Sequence, residues 1–188
     1  MIQRFFSDLN FYLILFSYDE DLAEKARLAR CPECGATLHR GNFQRKPRGL
    51  SCDTGKQFSC RFSFCCSNCR KRLTPTSIRF LGRKVYLGAV IVLISAMLGG
   101  ASPRRRRILH ELCGADERTL ARWRTWWAEA FTKTSVWKCL APALALCGIS
   151  DVPIPRRLLR AMPASPLEDA LSGVLRLLLP LTGGRWAG

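Results

Sequence analysis

Two knuckles, Cys31-Pro32-Glu33-Cys34 and Cys66-Ser67-Asn68-Cys69, constrain this chain more than any other feature. Each sets two thiols three positions apart on a tight turn, and 31 residues lie between the pairs. Four thiolates presented in this way can close a tetrahedron around Zn²⁺, whose structural sites are four-coordinate with no open position. Gly35 suits the first turn, because glycine tolerates positive φ where the backbone folds back toward a metal. A span of this length is hairpin material. Residues 31–80 therefore read as a zinc ribbon whose structural Zn²⁺ is held by Cys31, Cys34, Cys66 and Cys69. Disulfides, redox chemistry and unrelated buried thiols are the competing readings. Cys52, Cys60 and Cys65 have no partner at the CxxC step and read as buried free thiols, with a second metal site as the alternative. His39 is an alternative ligand.

Charge singles out the same region. The chain of 188 residues carries a formal +16. Between Arg40 and Lys84 stand twelve Lys and Arg against one acid, Asp53, while the first thirty residues are nearly neutral. A basic block centred on a metal-stapled hairpin is the electrostatic footprint of a polyanion partner, most often nucleic acid. Paired and scattered thiols suit a reducing interior. The apolar stretch Leu9–Tyr18 runs into an acidic segment without a small-residue cleavage site, so it does not read as a signal peptide. A cytoplasmic, nucleoid-associated protein is expected.

The chain divides into four segments. Residues 1–30 read as a helix, with Phe5, Phe6, Leu9, Tyr12, Leu13 and Phe16 at helical spacing. Within the ribbon, Phe58, Phe62 and Phe64 read as strand material, and Gly41–Gly55 as an irregular basic loop. Residues 81–135 open with Val85–Leu98, which is apolar all round. It falls short of the roughly 20 residues that a membrane span needs, so a buried helix is favoured over a membrane-inserted one. Residues 136–188 read as a Pro-punctuated tail with one short helix, Leu167–Leu179, and a frayed end from Thr182.

The segment that follows the apolar helix holds a second motif. Ser102-Pro103 is a helix start and Gly114 a natural terminator. Asp116 can cap a further helix through Phe131. Its Leu120, Trp123, Trp127, Ala130 and Phe131 share one arc of about 100°. Arg118, Arg122 and Thr125 project on the opposite side, Thr119 nearer the flank. An anchored helix with a cationic, hydrogen-bonding outer face suits a major groove.

The run Gly114-Ala115-Asp116-Glu117-Arg118-Thr119-Leu120-Ala121-Arg122-Trp123 resembles the helix-turn-helix consensus of bacterial DNA-binding proteins. A Cys₄ ribbon, a basic exit at Arg70-Lys71-Arg72-Leu73-Thr74-Pro75-Thr76-Ser77 and this helical segment, in that order, resemble the N-terminal DNA-binding region of insertion-sequence transposases and related mobile-element proteins. The resemblance covers roughly 31–131. It implies a mainly α fold with a small β zinc ribbon followed by a tri-helical helix-turn-helix domain. It also implies double-stranded DNA as partner, with a transposase or recombinase beside it. Thr119 and Arg122 then face DNA, with Arg118 and Thr125 beside them; Arg104, Arg105, Arg106 and Arg107 meet phosphate, and Lys71 and Arg72 belong to the same basic surface. Trp126 and the apolar termini are candidate surfaces for a homo-oligomer.

Such transposases continue into a nuclease domain with three metal-binding carboxylates. Here the acids beyond Phe131 are Asp151, Glu168 and Asp169, on no evident sheet. Walker, Ser-elbow and HExxH motifs are missing as well. The expectation is a non-catalytic protein. A protein-interaction scaffold and a small membrane-associated zinc protein are the alternatives.

Overall fold

The computed structural model describes residues 8–49, 58–82, 84–146, 152–163 and 166–183, with side chains to 144 in the third stretch. The fold is mainly helical, with a small antiparallel sheet beside a cluster of cysteines.

Helix α1, Leu9–Leu28, is started by Asp8, whose carboxylate accepts from the Asn10 and Phe11 amides. Its buried face runs Phe11, Tyr12, Leu15, Asp19 and Ala23. This corrects the apolar stripe read from the sequence: Leu9 and Leu13 are exposed, and Phe5 and Phe6 lie outside the described residues. The stretch is apolar on several sides, so helical spacing alone does not choose the buried face. The choice is made by what α1 touches. Its first half packs into the main core, and Ala23 joins a second, smaller core with Leu38, Phe64, Cys31 and Cys66.

The β strands form two adjoining ladders. In the first, β1 (Leu38–Arg40), β4 (Phe64–Cys66) and β5 (Arg72–Leu73) lie antiparallel in the order β1-β4-β5, with Leu38 opposite Cys66 and Cys65 opposite Arg72. In the second, β2 (Phe43–Gln44) pairs with β3 (Cys60–Arg61). The expected irregular loop over Gly41–Gly55 thus begins as paired strand. The Gly41 amide donates to the Ser63 carbonyl and the Asn42 side chain accepts from the Ser63 amide, which carries the pairing across the break. Cys52 and Asp53 lie outside the described residues.

Helix α2, Gly88–Leu98, is the axis of the main core, with every residue buried except Met97. No helix among the described residues is long and apolar enough to cross a membrane. The helices α3 (Pro103–Cys113), α4 (Glu117–Thr125), α5 (Ser135–Leu146), α6 (Ile154–Ala161) and α7 (Leu167–Leu177) follow. A π-helical turn, Trp126–Ala130, and a 3₁₀ turn, Phe131–Lys133, extend α4. The wider π turn shifts the side-chain register. Trp127 and Phe131 stay buried while Ala130, expected inside, is exposed.

The C-terminal third is not a tail with one helix. Helix α5 accommodates Pro142 on its exposed side, and α6 and α7 place Leu158, Leu171, Val174 and Leu175 in the main core. Arg156 on α6 donates to the Ala96 and Gly99 carbonyls, at 2.8 and 3.2 Å. A guanidinium there satisfies end carbonyls of α2 and complements the negative end of its dipole. Thr182, expected to fray, is buried; its hydroxyl accepts from the Ser77 amide at 2.9 Å and its carbonyl accepts from Arg61. Ser165 lies outside the described residues, and α7 begins after Pro166.

One buried ion pair joins these parts. Arg79 donates from Nε to Asp19 Oδ2 at 2.7 Å, both side chains being 0% exposed. Asp19 also accepts from the Ser77 hydroxyl and the Ile78 amide, at 2.5 and 2.7 Å. The other Arg79 nitrogens donate to the Phe58 and Cys60 carbonyls, each at 2.8 Å. The Phe16 and Phe80 rings lie 4.6 and 5.1 Å from the guanidinium carbon. Removing one partner strands the other charge, so Asp19→Ala is expected to cost about 3–5 kcal/mol in denaturant unfolding. A loss below about 1 kcal/mol, the level of an exposed pair, shows that the pair does not bind the fold together.

Candidate metal centre and basic helix pair

The two knuckles are built alike. The Cys31 amide donates to the Ala36 carbonyl and the Cys66 amide to the Lys71 carbonyl, both at 3.0 Å and both spanning the same interval of chain. The residue after each second cysteine has positive φ: Gly35 at 70° and Arg70 at 59°. Gly35 takes this conformation freely, whereas Arg70 bears a steric penalty for it. The β1–β4 ladder joins the turns, and the Ser67 amide donates to the Thr37 carbonyl. Outside, Lys71 closes on Glu33 at 2.8 Å, linking one knuckle's edge to the other.

This frame brings together all four cysteines read from the sequence. Their sulfurs lie within 4.8 Å of one another, with Cys31 and Cys69 at 3.6 Å and Cys34 and Cys66 at 3.4 Å. Sulfurs bound tetrahedrally at the usual Zn–S distance are separated by about 3.8 Å, so the cluster has dimensions compatible with a metal site. Each of the eight described cysteines is a free thiol. His39 sits opposite Cys65 in the β1–β4 ladder, exposed and outside the cluster. Cys60 and Cys65 are half-buried and form no second cluster among the described residues.

Crowding governs the protonation of the thiols. Burial raises the Cys66 thiol, but backbone amides of Asn68 and Cys69 and neighbouring thiols outweigh it, bringing it to about 6. For Cys69, the Lys71 amide lowers the pKa, yet burial together with contacts from Cys66, Cys31 and Cys34 pushes it up to about 12. One negative charge is readily held; adding charge beside it is costly until a cation compensates.

The second group of sequence-derived candidates lies on α3 and α4. Ser102 caps α3, with its hydroxyl accepting from the Arg105 amide at 3.3 Å. Gly114 ends α3 at φ 62°, Ala115 is buried, and Asp116 caps α4 by accepting from the Thr119 amide at 2.6 Å. Leu109, Cys113, Leu120 and Trp123 anchor the pair in the core. Tyr86 supports the turn, donating to the Gly114 carbonyl at 3.1 Å and meeting Trp123 edge-on.

Arg104, Arg105, Arg106, Arg107, Arg118, Arg122 and Thr125 are exposed, whereas Thr119 is half-buried. Lys71 and Arg72 line the surface beside the cysteine cluster with Cys31, Pro32, Glu33 and Leu73. Lys71 is engaged by Glu33, and the Arg72 guanidinium lies 5.8 Å from the centre of the Phe43 ring. Two residues with no place among the sequence candidates also stand out. Arg124 is exposed on α4, and Lys84 lies 4.4 Å over the Trp126 ring, its pKa lowered by burial. A count of charges per segment could have found Arg124; the Lys84 contact depends on folding.

No family model, curated protein or solved structure matches this chain.

Two outcomes test the centre. Arg70→Gly removes the left-handed penalty and is expected to stabilise the metal-loaded protein by about 1 kcal/mol, read as a rise in melting temperature. A fall means that the Arg70 side chain contributes more than its backbone costs. Metal loading at neutral pH is expected to release protons, that of Cys69 among them, so apparent affinity drops as pH falls. Proton release measured in weakly buffered solution, together with a competition titration at two pH values, checks the sign. A pH-independent affinity excludes thiolate ligation.

Proposed function

We infer that this chain is a non-catalytic, zinc-stabilised DNA-binding protein, an accessory protein or regulator of the mobile-element kind. The observation that carries the reading is the α3–α4 pair. Residues 103–125 hold seven arginines against three acids, and all seven arginines are exposed while the opposite faces of the helices are anchored in the core. Fixed, outward guanidiniums suit phosphate and guanine edges, to which Arg can donate two parallel hydrogen bonds. The three-residue turn at Gly114-Ala115-Asp116 supports a helix-turn-helix arrangement in which α4 is the reading helix. In this reading Arg118, Arg122 and Thr125 face the groove, and Arg104–Arg107 meet backbone phosphate.

The four-thiol cluster takes zinc as a structural ion, and the strands around it form a zinc ribbon. Four sulfur ligands leave no open position for substrate or water, so the ion braces the fold and takes no part in chemistry. Lys71 and Arg72 add positive charge on the ribbon side.

One observation favours the interaction-scaffold reading: Leu9, Leu13 and Ile14 are exposed near the start of α1, Ile14 at 63%. They supply an exposed apolar surface on α1, and DNA binding does not depend on it.

Fluorescence anisotropy with duplex DNA across a salt series tests the reading. Affinity is expected to fall steeply with salt, because binding releases counterions. Arg118→Gln and Arg122→Gln together are expected to weaken binding by about 10-fold or more. A flat salt response, or a double variant indistinguishable from the parent, overturns the assignment. Replacing any one of Cys31, Cys34, Cys66 or Cys69 by Ser is expected to lose the zinc measured by elemental analysis; a variant that retains a full equivalent sinks the ligand set.

A further inference from the structure

We propose that the cleft between α3 and α4 seats the sugar–phosphate backbone of one DNA strand, with Arg124 joining Arg106 as a phosphate contact and Arg118 at the edge where cleft and groove meet. The proposal rests on the DNA-binding reading above and assigns a definite part of the surface to one strand.

The cleft has a volume of about 740 Å³. From α3 it is lined by Arg106, Arg107 and His110, which recur at the spacing of a single helix face. From α4 it is lined by Glu117, Ala121 and Arg124, again one face, with Arg118 at the edge. Leu98, Ala101 and Leu120 supply its apolar lining. Two cationic helix faces therefore share one depression. Among the described residues Arg106, Arg118 and Arg124 form no salt bridge, and Arg107 makes only a long one to Glu111 at 3.9 Å.

Guanidiniums sharing a depression repel one another, and the repulsion is relieved when a linear anion lies among them. A phosphodiester chain with apolar sugars fits both halves of the lining: charged oxygens toward the arginines, deoxyribose toward Leu98 and Ala101. The arginines are all exposed rather than sunk in a closed chamber, which suits a continuous strand better than an isolated small anion. Glu117 opposes such an occupant, since its carboxylate lines the same cleft. This gives the proposal a test with opposite signs. Arg122 and Thr125 are absent from the cleft lining and remain available to bases.

Anisotropy titrations of duplex DNA across a salt series are run with the full chain and with Arg106→Gln, Arg124→Gln, Arg122→Gln and Glu117→Gln, each checked by thermal unfolding. Arg106→Gln and Arg124→Gln are each expected to weaken binding and to reduce the slope of log K against log salt by about 1, the signature of one lost phosphate contact. Glu117→Gln is expected to tighten binding several-fold. The proposal is overturned if Arg122→Gln weakens binding while Arg106→Gln, Arg124→Gln and Glu117→Gln leave affinity and slope unchanged; the DNA-binding reading then stands. It is also overturned if inorganic pyrophosphate stabilises the protein through Arg106 and Arg124 while those variants leave the duplex slope intact, which makes the cleft a small-anion site. If the parent chain binds no duplex at low salt, the DNA-binding reading itself fails and takes the inference with it.

Discussion

Asp19 and Arg79 meet with no exposure to solvent, and three parts of the chain depend on their meeting. The carboxylate fixes the middle of α1 against the Ser77–Ile78 backbone, and the guanidinium collects the Phe58 and Cys60 carbonyls at the root of the β2–β3 hairpin. Two ions taken out of water are stabilising together only when their remaining hydrogen-bonding capacity is used. Here Asp19 accepts three hydrogen bonds and Arg79 donates three, while aromatic rings flank the cation. The pair thus sets how the cysteine-bearing strands sit on the helical body.

The cysteine cluster acts at shorter range. Its core is small: Ala23, Leu38 and Phe64 around two buried cysteines. So few apolar groups contribute little burial free energy, and four thiols gathered this closely are compatible with a metal site whose binding free energy would add to that of the packing. The cluster also shares α1 with the main core, because the same helix carries Phe11, Tyr12 and Leu15 at one end and Ala23 at the other. One helix thereby ties the two cores together.

The helical body anchors the basic helices through Leu109, Cys113, Leu120 and Trp123. The C-terminal helices close over α2, and Arg156 neutralises its carbonyl end. With α2 buried on all sides, α3 and α4 can direct their apolar faces inward and their arginines outward without a compensating layer. The α3–α4 surface holds like charges close together, and these anchored helices carry them. The carboxylates of Asp116 and Glu117 at the start of α4 offset part of their mutual repulsion.

Much of the local architecture was legible in the chain. The CxxC spacing identified the four thiols, because a tight turn needs only neighbouring residues to form. Ser102-Pro103, Gly114 and Asp116 marked the ends of α3 and α4 for the same reason: capping is chemistry between residues three or four apart. Other features were hidden. Asp19 read as one member of an acidic run, since its partner lies sixty positions away. The face of α1 that packs was ambiguous because Leu9 and Leu13 keep the same helical rhythm as the buried residues. The prolines after residue 140 suggested a tail, yet α6 and α7 form because α2 offers them an apolar surface. The sequence by itself determined the four cysteines that cluster, the helix boundaries around Gly114 and the excess of positive charge, all local or compositional properties. Tertiary structure alone decided which charges are buried and paired, and which arginines face one another across the α3–α4 cleft, because those depend on distances between segments that no spacing along the chain encodes.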